Sequence, residues 1–189
     1  MNKPCGYVCS AVSDSHKTVY DLLTPELRSQ VQGAKRGSRL HTIGRLDCDT
    51  SGLLLFTTDG FFSHRIIAST VAGTENISKT YRATLINPVS PDAQSEYITR
   101  AAAGLTLPPE KKYGEQQAEP ATLHFLTSDI CEITVYEGKF HEVRRIFRAL
   151  GNEVKELERI SIGGLTLPAD LTSGQWRNMT ETEKNSVVE

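Results

Sequence analysis

A short polar segment between two apolar stretches holds the residues best suited to chemistry. Asp47 and Asp49 flank Cys48 in this segment, and apolar residues precede and follow it. Loops held by a rigid sheet are common places for catalytic residues. The same pattern also suits a plain hairpin connection, in which Asp and Ser side chains accept hydrogen bonds from backbone NH groups. The loop alone leaves both interpretations open.

Part of this loop resembles the active-site loop of one class of hydrolase, the aspartic proteases. The sequence DTSG at 49–52 is similar to the active-site loop of aspartic proteases, which need two such aspartates that share one proton. This chain contains one copy, and 189 residues is long for an enzyme that completes its site by dimerisation. An aspartic hydrolase is therefore kept only as an alternative.

A cluster of basic residues surrounds the start of a predicted helix at 141–150. The apolar spacing of this helix leaves Arg144, Arg145 and Arg148 on other faces, and Lys139 and His141 precede them. A carboxylate such as Asp47 is a nucleophile only when ionised, and a guanidinium beside it would keep it ionised and orient it. The alternative is a solvated helix face with ion pairs to Glu142.

Tyr81 lies in a predicted strand, where an aromatic ring either packs in the core or provides a wall for a stacked base. The five histidines and four cysteines show no metal-ligand spacing, and no glycine-rich phosphate loop or GxSxG motif occurs. We therefore expect no metal and no nucleotide cofactor. Cys5, Cys9, Cys48 and Cys131 are expected to be reduced thiols.

The composition is that of an ordinary globular protein. Hydrophobic residues make up 38% of the 189 residues, which predicts one domain over 1–189 with a core of its own. The longest apolar run is residues 53–56, far below the roughly 20 residues of a membrane span, and no secretory signal begins the chain. The expected location is the cytoplasm. Net charge is −2, so any nucleic-acid site must be a local patch.

Strands outnumber helices in the predicted order and do not alternate with them. Strands are predicted at 6–11, 40–46, 53–58, 80–86, 121–126, 130–136 and 157–162, and helices at 19–31, 61–68, 91–103 and 141–150, the first interrupted by Pro25. A capping box of Thr180 and Glu183 predicts a short C-terminal helix. This order indicates an α+β fold around a largely antiparallel sheet.

Four segments together resemble the bacterial ribosomal RNA pseudouridine synthases. They are NKPCGYVCS at 2–10, GRLDCDTSGL at 44–53, KTY at 79–81 and EGKFHEVRR at 137–145. With RISIGGL at 159–165, the opening segment is most similar to the RsuA type, which modifies small-subunit (16S) rRNA. The family implies a mixed, mainly antiparallel eight-stranded sheet with flanking helices and a central RNA-binding cleft.

The resemblance implies a role for each matching residue. Asp47 would be the catalytic aspartate, Tyr81 the ring packed against the target base, and Arg144 the cation paired with Asp47. Arg45 would help displace the flipped base. The further substrate-binding residues are Lys79, Lys139, His141 and Arg145. Asp49 falls at a variable position and is expected to cap the loop.

The resemblance also implies an RNA partner, and the chain is expected to differ from the subgroup in one module. The partner would be ribosomal RNA or the assembling small subunit, and the protein would act as a monomer. The alternatives are the same reaction on 23S rRNA and RNA binding without catalysis. The subgroup usually carries an N-terminal S4-like RNA-binding module, which this chain is expected to lack. RNA binding would then rest on Lys35, Arg36 and Arg39 together with the arginines at 144, 145 and 148.

Overall fold

The computed structural model describes residues 1–13, 15–32, 39–67 and 76–188. The chain divides into two compact units, and one catalytic domain over 1–189 stays a prediction. The first unit comprises Met1–Ile77 and Arg159–Glu189, and the second comprises Ser78–Glu158. Each unit has a hydrophobic core of its own.

The described residues form short strands and five α-helices. The strands are β1 (Asn2–Lys3), β2 (Tyr7–Val8), β3 (Lys17–Thr18), β4 (His41–Ile43), β5 (Thr50–Leu53), β6 (Leu55–Thr57), β7 (Lys79–Leu85), β8 (Thr106–Leu107), β9 (Gln116–Gln117), β10 (Thr122–Phe125), β11 (Ile130–Val135), β12 (Val154–Ile162) and β13 (Leu165–Thr166). The helices are α1 (Pro25–Gln32), α2 (Gly60–Ile67), α3 (Pro91–Ala102), α4 (Glu142–Ala149) and α5 (Glu181–Ser186), and a 3-10 helix covers Val19–Leu22. None of these helices is long and apolar enough to cross a bilayer.

The first unit is built from short paired strands. In it β5 lies between β1 and β12, β4 pairs antiparallel with β6, and β2 pairs parallel with β3. Apolar residues from β4, β5, β6, α2, β12, β13 and the C-terminal end fill the core: Ile43, Leu53, Leu55, Ile66, Ile162, Leu165 and Val187. This unit therefore holds the loop between β4 and β5 on a packed base.

The second unit is a sheet with helices packed on it. Here β7 lies between β12 and β11, and β10 continues the sheet as the hairpin partner of β11. Alternate residues of β11 point inward, because Cys131, Ile133 and Val135 are buried while their neighbours are half-buried. Helices α3 and α4 pack beside β10 and β8. This unit therefore carries Tyr81 on β7 and Arg144 on α4.

The α+β class expected from the sequence is confirmed. The predicted helix at 19–31 is divided before Pro25, because a proline ring would clash with the carbonyl four residues earlier and fits the first turn of α1 instead. The predicted strand at 53–58 is two strands, since Leu54 NH donates to Met1 O between β5 and β6. The Thr180–Glu183 capping box is present at α5. All four cysteines are free thiols.

The turn between β12 and β13 depends on a glycine. Gly163 has φ +55, and a Cβ there would lie 2.2 Å from Val187 O. We expect Gly163→Ala to lower the free energy of unfolding by about 2–4 kcal/mol, because the new methyl group meets backbone in a strained conformation. Urea denaturation measures this. Gly60→Ala is the control, because nothing lies within 4 Å of the place that its new methyl group would take; equal stability of the two variants would contradict the prediction.

Candidate active site

The loop between β4 and β5 presents polar side chains from an anchored backbone. Leu46 is buried, Asp47 and Cys48 are half-buried, and Arg45 and Asp49 are exposed. Gly44 has φ +69 and turns the chain out of β4. Leu46 is buried, which fixes the backbone just before the half-buried Asp47. Asp47 therefore lies on a loop whose position is set by its neighbours.

Three groups from the first nine residues hold this loop. The Lys3 ammonium donates to Asp47 O at 2.9 Å, Thr50 O at 2.7 Å and Pro4 O at 3.1 Å. The amide of Gly6 donates to Cys48 O at 2.7 Å. The backbone NH of Leu46 lies 3.4 Å from Cys9 Sγ, and that thiol also lies 3.4 Å from Leu46 O. The opening segment thus fixes the backbone on both sides of Asp47.

Lys3 is an unusual residue for this task because its side chain is fully buried. Burial lowers the pKa of Lys3, and neighbouring groups including the Asp47 carboxylate partly oppose that shift. A buried ammonium is tolerated where carbonyl oxygens accept all its protons. Arg159, also buried, donates from Nε to Leu53 O at 2.8 Å at the other end of β5. Two buried cations therefore support the strand that follows the loop.

In the second unit, Lys79 and Tyr81 lie on the same face of β7. They are two residues apart on a strand, and they pair across the sheet with Val135 and Ile133 of β11. Tyr81 is half-buried and packs against the core of the unit. Part of its ring is therefore fixed by packing, and part remains accessible. This is compatible with a core role and with a stacking role.

Helix α4 places Arg144 at a half-buried position. Its Nη1 donates to Val154 O at 3.0 Å, at the start of β12. This bond ties one end of the guanidinium to the sheet and limits the directions in which it can point. The predicted partner of Arg144, Asp47, belongs to the other unit, so that pairing stays a prediction. The same holds for the predicted packing of Tyr81 against a base attacked by Asp47.

Arg145 differs from its prediction as an RNA contact. Its side chain is fully buried, and it donates to Pro108 O at 2.8 Å, Gly114 O at 2.9 Å, Gln116 Oε1 at 2.6 Å and Phe140 O at 3.3 Å. A guanidinium with these acceptors cannot reach a phosphate without breaking them. Arg145 is therefore a structural cation that ties the segment before β9 to the start of α4.

Lys79 and Lys139 lie near Glu142, a buried acid for which the sequence predicted only surface ion pairs. Glu142 is 5% exposed, and its Oε2 accepts from the Lys139 amide at 3.3 Å. Burial raises the pKa of Glu142 to about 7, while the Lys139 amide and the charges of Lys139 and Lys79 act against the rise. The Lys139 ammonium itself pairs with Glu137. Both predicted RNA-binding lysines thus lie in a mixed cluster of charges.

His141 and the remaining arginines have distinct surroundings. His141 Nδ1 lies 2.8 Å from Glu110 Oε1, and Arg148 donates to Glu110 Oε2 at 2.7 Å. Arg39 is exposed. Lys35 and Arg36, the other members of the predicted basic patch, lie outside the described residues. Among the residues that are described, no three His, Cys, Asp or Glu side chains group as a metal site.

Sequence reasoning missed the buried polar residues that support the site. It included Lys3 and Arg159 only as members of family-like segments, and Glu142 only as a surface ion-pair partner. No local pattern marks Lys3 as buried, because a lysine is almost never fully buried unless it is paired. Its burial depends on three carbonyls that accept its protons, two of which, Asp47 O and Thr50 O, lie far away in the sequence.

These features agree with comparisons to known proteins. The sequence profile of the family described as RNA pseudouridylate synthase matches residues 1–149, which include the Asp47 loop, β7 and α4. The chain belongs to this family of RNA-modifying isomerases.

Individual relatives cover the whole chain. It is 41% identical over 188 residues to the ribosomal small subunit pseudouridine synthase A of Escherichia coli K12, spanning all of this chain and 72% of the relative. The protein of that name from Haemophilus influenzae is 36% identical with the same coverage. A pseudouridylate synthase crystal structure matches with a TM-score of 0.83 and 37% identity, again over all of this chain and 72% of that one.

Replacing Lys3 tests whether its ammonium holds the Asp47 loop. We expect Lys3→Met to lower the free energy of unfolding by about 2–4 kcal/mol, because buried carbonyls lose their donor while chain length is kept. Urea denaturation provides the measurement. Lys155→Met, at an exposed lysine of β12, is the control and should change little. If both variants unfold at the same urea concentration, Lys3 does not carry this role.

The raised pKa of Glu142 predicts that the stability of the protein depends on pH. Its folded pKa of about 7 lies above the ordinary 4.5, so the folded state binds the proton more tightly, and stability falls as pH rises between these values. The full effect is on the order of 3 kcal/mol. Glu142→Gln removes it, so the variant should gain stability relative to the parent on going from pH 5 to pH 8. Chemical denaturation at both pH values measures the gain, and Glu156→Gln, at an exposed position, should show none.

Proposed function

We propose that this enzyme converts a uridine of small-subunit (16S) ribosomal RNA to pseudouridine. The observation that carries the proposal is the 41% identity over the whole chain to a relative named for that activity. The proposal is supported by the Asp47 loop, which lies within the matched residues and is held by buried contacts. Such a loop suits a residue that must attack at a defined position.

The proposed reaction begins with extrusion of the target nucleotide. A uridine inside folded RNA does not expose its glycosidic carbon or its C6 to a side chain, so it must leave the stack and enter a pocket. Tyr81 would then contact the face of the base, and the exposed Arg45 would take the place of the base in the RNA. The half-buried ring of Tyr81 supports this role, because packing against the core fixes its orientation.

Asp47 would assist cleavage of the N1–C1′ bond. The base then turns in place and C5 bonds to C1′, while C5 loses its hydrogen and N1 gains one. The product is an isomer of the substrate, so no electrons are exchanged and no redox cofactor is needed. Attack on the base, attack on the sugar and removal of a sugar proton all remain compatible with a carboxylate. Arg144 would keep that carboxylate ionised and oriented.

The RNA would be held by local contacts in this proposal, because the chain has a net charge of −2. Lys79, Lys139 and His141 would bind the nucleotides around the target. The partner would be 16S rRNA or the assembling small subunit. The enzyme would bind it as a monomer in the cytoplasm.

Substitution of Asp47 tests the catalytic assignment. We expect Asp47→Asn to reduce pseudouridine formation by at least about 1,000-fold, since an amide cannot act as the nucleophile or base. RNA affinity should change by no more than about twofold, because the substitution keeps the shape of the side chain. Pseudouridine mapping on 16S transcript and on assembling small subunits measures turnover, and filter binding measures affinity.

Asp49→Asn is the matched control, because this aspartate lies two residues away in the same loop. It should keep most of the parental activity. Normal turnover by Asp47→Asn would refute the catalytic role. Modification of 23S rRNA alone by the parent enzyme would refute the proposed substrate while leaving the chemistry intact.

A further inference from the structure

Three nearly parallel rings form a column at one side of the second unit. The centroids of Tyr113 and Phe140 lie 4.6 Å apart at 19°, and those of Phe140 and His141 lie 3.8 Å apart at 16°. All three residues are half-buried, and Tyr113 and Phe140 lie outside the main core of the unit. We call these three residues the ring stack. Its end rings are Tyr113 and His141.

The backbone is strained on both sides of the ring stack. Lys111 has φ +53 and His141 has φ +49, and they are the non-glycine residues with positive φ among those the structure describes. Each such residue costs on the order of 1 kcal/mol. The left-handed conformation at His141 lets its ring lie flat on that of the preceding residue. Backbone strain beside partly exposed rings outside the main core favours a binding role.

The strained segments are fastened together by an ion cluster. Glu110 and Tyr113 form a tight backbone bridge, with hydrogen bonds of 2.8 and 3.0 Å. Glu110 then accepts from Arg148 and contacts His141, each through a separate oxygen. Although burial acts in the opposite direction, these two partners hold the pKa of Glu110 below its ordinary value. The carboxylate is thereby engaged within the cluster, which limits its repulsion of an incoming anion.

Two lysines stand over the ring stack. Lys111 Nζ lies 5.4 Å from the Phe140 centroid and Lys112 Nζ lies 5.5 Å from the Tyr113 centroid. Both residues are exposed. A base that stacks on Tyr113 would displace the Lys112 ammonium from that ring, and the flexible lysine could then pair with the phosphate of the same nucleotide. Glu115, an exposed acid three residues after Lys112 in the sequence, carries the opposite charge.

We propose that the ring stack and Lys111–Lys112 bind an unpaired nucleotide of the substrate RNA, distinct from the uridine that is isomerised. Flat rings accept a base of any kind, and adjacent lysines accept its phosphates, which is the usual chemistry of single-stranded RNA binding. The target base is assigned to Tyr81, a separate ring on β7 that packs against the core. This inference rests on the proposed function for the identity of the RNA, and it adds a second stacking surface.

The test compares variants that remove the ring or the charges. Tyr113→Leu should weaken binding of 16S transcript by about 5- to 150-fold, the range measured for loss of one stacked base, while Tyr113→Phe keeps the ring and should bind as the parent does. The loss should appear more in KM than in kcat. Filter binding and steady-state kinetics give both values. Equal affinities of Tyr113→Leu and the parent would overturn the proposal.

A second variant, which removes the charges of Lys111 and Lys112, tests the proposal even if Tyr113→Leu fails to fold. Lys111→Gln with Lys112→Gln should reduce the slope of log Kd against log salt by about 1 to 2, because two phosphate contacts are lost. Lys17→Gln with Lys155→Gln removes the same charge at exposed positions and is the control. If the two double variants lose equal affinity and slope, the lysines act only through net charge and the proposal fails.

Two further outcomes separate this inference from the proposed function. If the parent modifies another RNA, the same comparison is made with that RNA, and only the 16S assignment is lost. If the variants bind naked RNA normally but lose activity on assembling subunits alone, the surface contacts a ribosomal protein and the nucleotide site is refuted. Stability measured by urea denaturation separates loss of binding from loss of fold.

Discussion

The buried ammonium of Lys3 is the constraint on which the proposed catalytic loop depends. An ammonium removed from water is costly unless every proton meets an acceptor, and here the acceptors are the carbonyls of Pro4, Asp47 and Thr50. The charge and the loop therefore require each other. If the loop moves, the ammonium loses its acceptors, and if the lysine is removed, the carbonyls lose their donor. This mutual requirement gives Asp47 a fixed backbone without a regular element beneath it.

The second unit uses the same device at a different place. Arg145 is buried and joins Pro108, Gly114 and Gln116 to Phe140. Pro108, Gly114 and Gln116 lie on either side of Tyr113 in the sequence, and Phe140 is the ring-stack residue that precedes the helix carrying Arg144. A guanidinium suits this position because its donors fan out in one plane and reach several segments at once. In each unit, then, an internal cation holds an irregular segment that presents polar side chains to the surface.

Local patterns in the sequence were sufficient to predict the helices and strands but not to predict which cations are buried. The spacing of Val143, Ile146 and Phe147 predicts α4, and the helix forms within one residue of the predicted bounds. Period alone cannot say which of Arg144 and Arg145 is buried, because both lie off the apolar stripe. The answer depends on acceptors at 108–116, about 30 positions earlier in the chain, which cover Arg145. Lys3 is similar, because its acceptors at 47 and 50 lie far away in sequence. Tyr81 and Asp47 could be proposed from motifs, while their supports required the fold.

The buried cations also affect how the net charge of the chain relates to RNA binding. Lys3, Arg145 and Arg159 are counted in the total of −2 but are buried, so they cannot contact a phosphate directly. Other cations, such as Lys139 and Arg148, face carboxylates directly. Fewer cations are therefore available to pair with a phosphate backbone than the sequence count indicates. Under these conditions affinity must come from contacts that do not depend on net charge. Stacking on planar rings is such a contact, because its strength comes from the base and resists salt better than phosphate pairing does. An enzyme of low net charge thus gains more from a ring stack than a strongly basic one would.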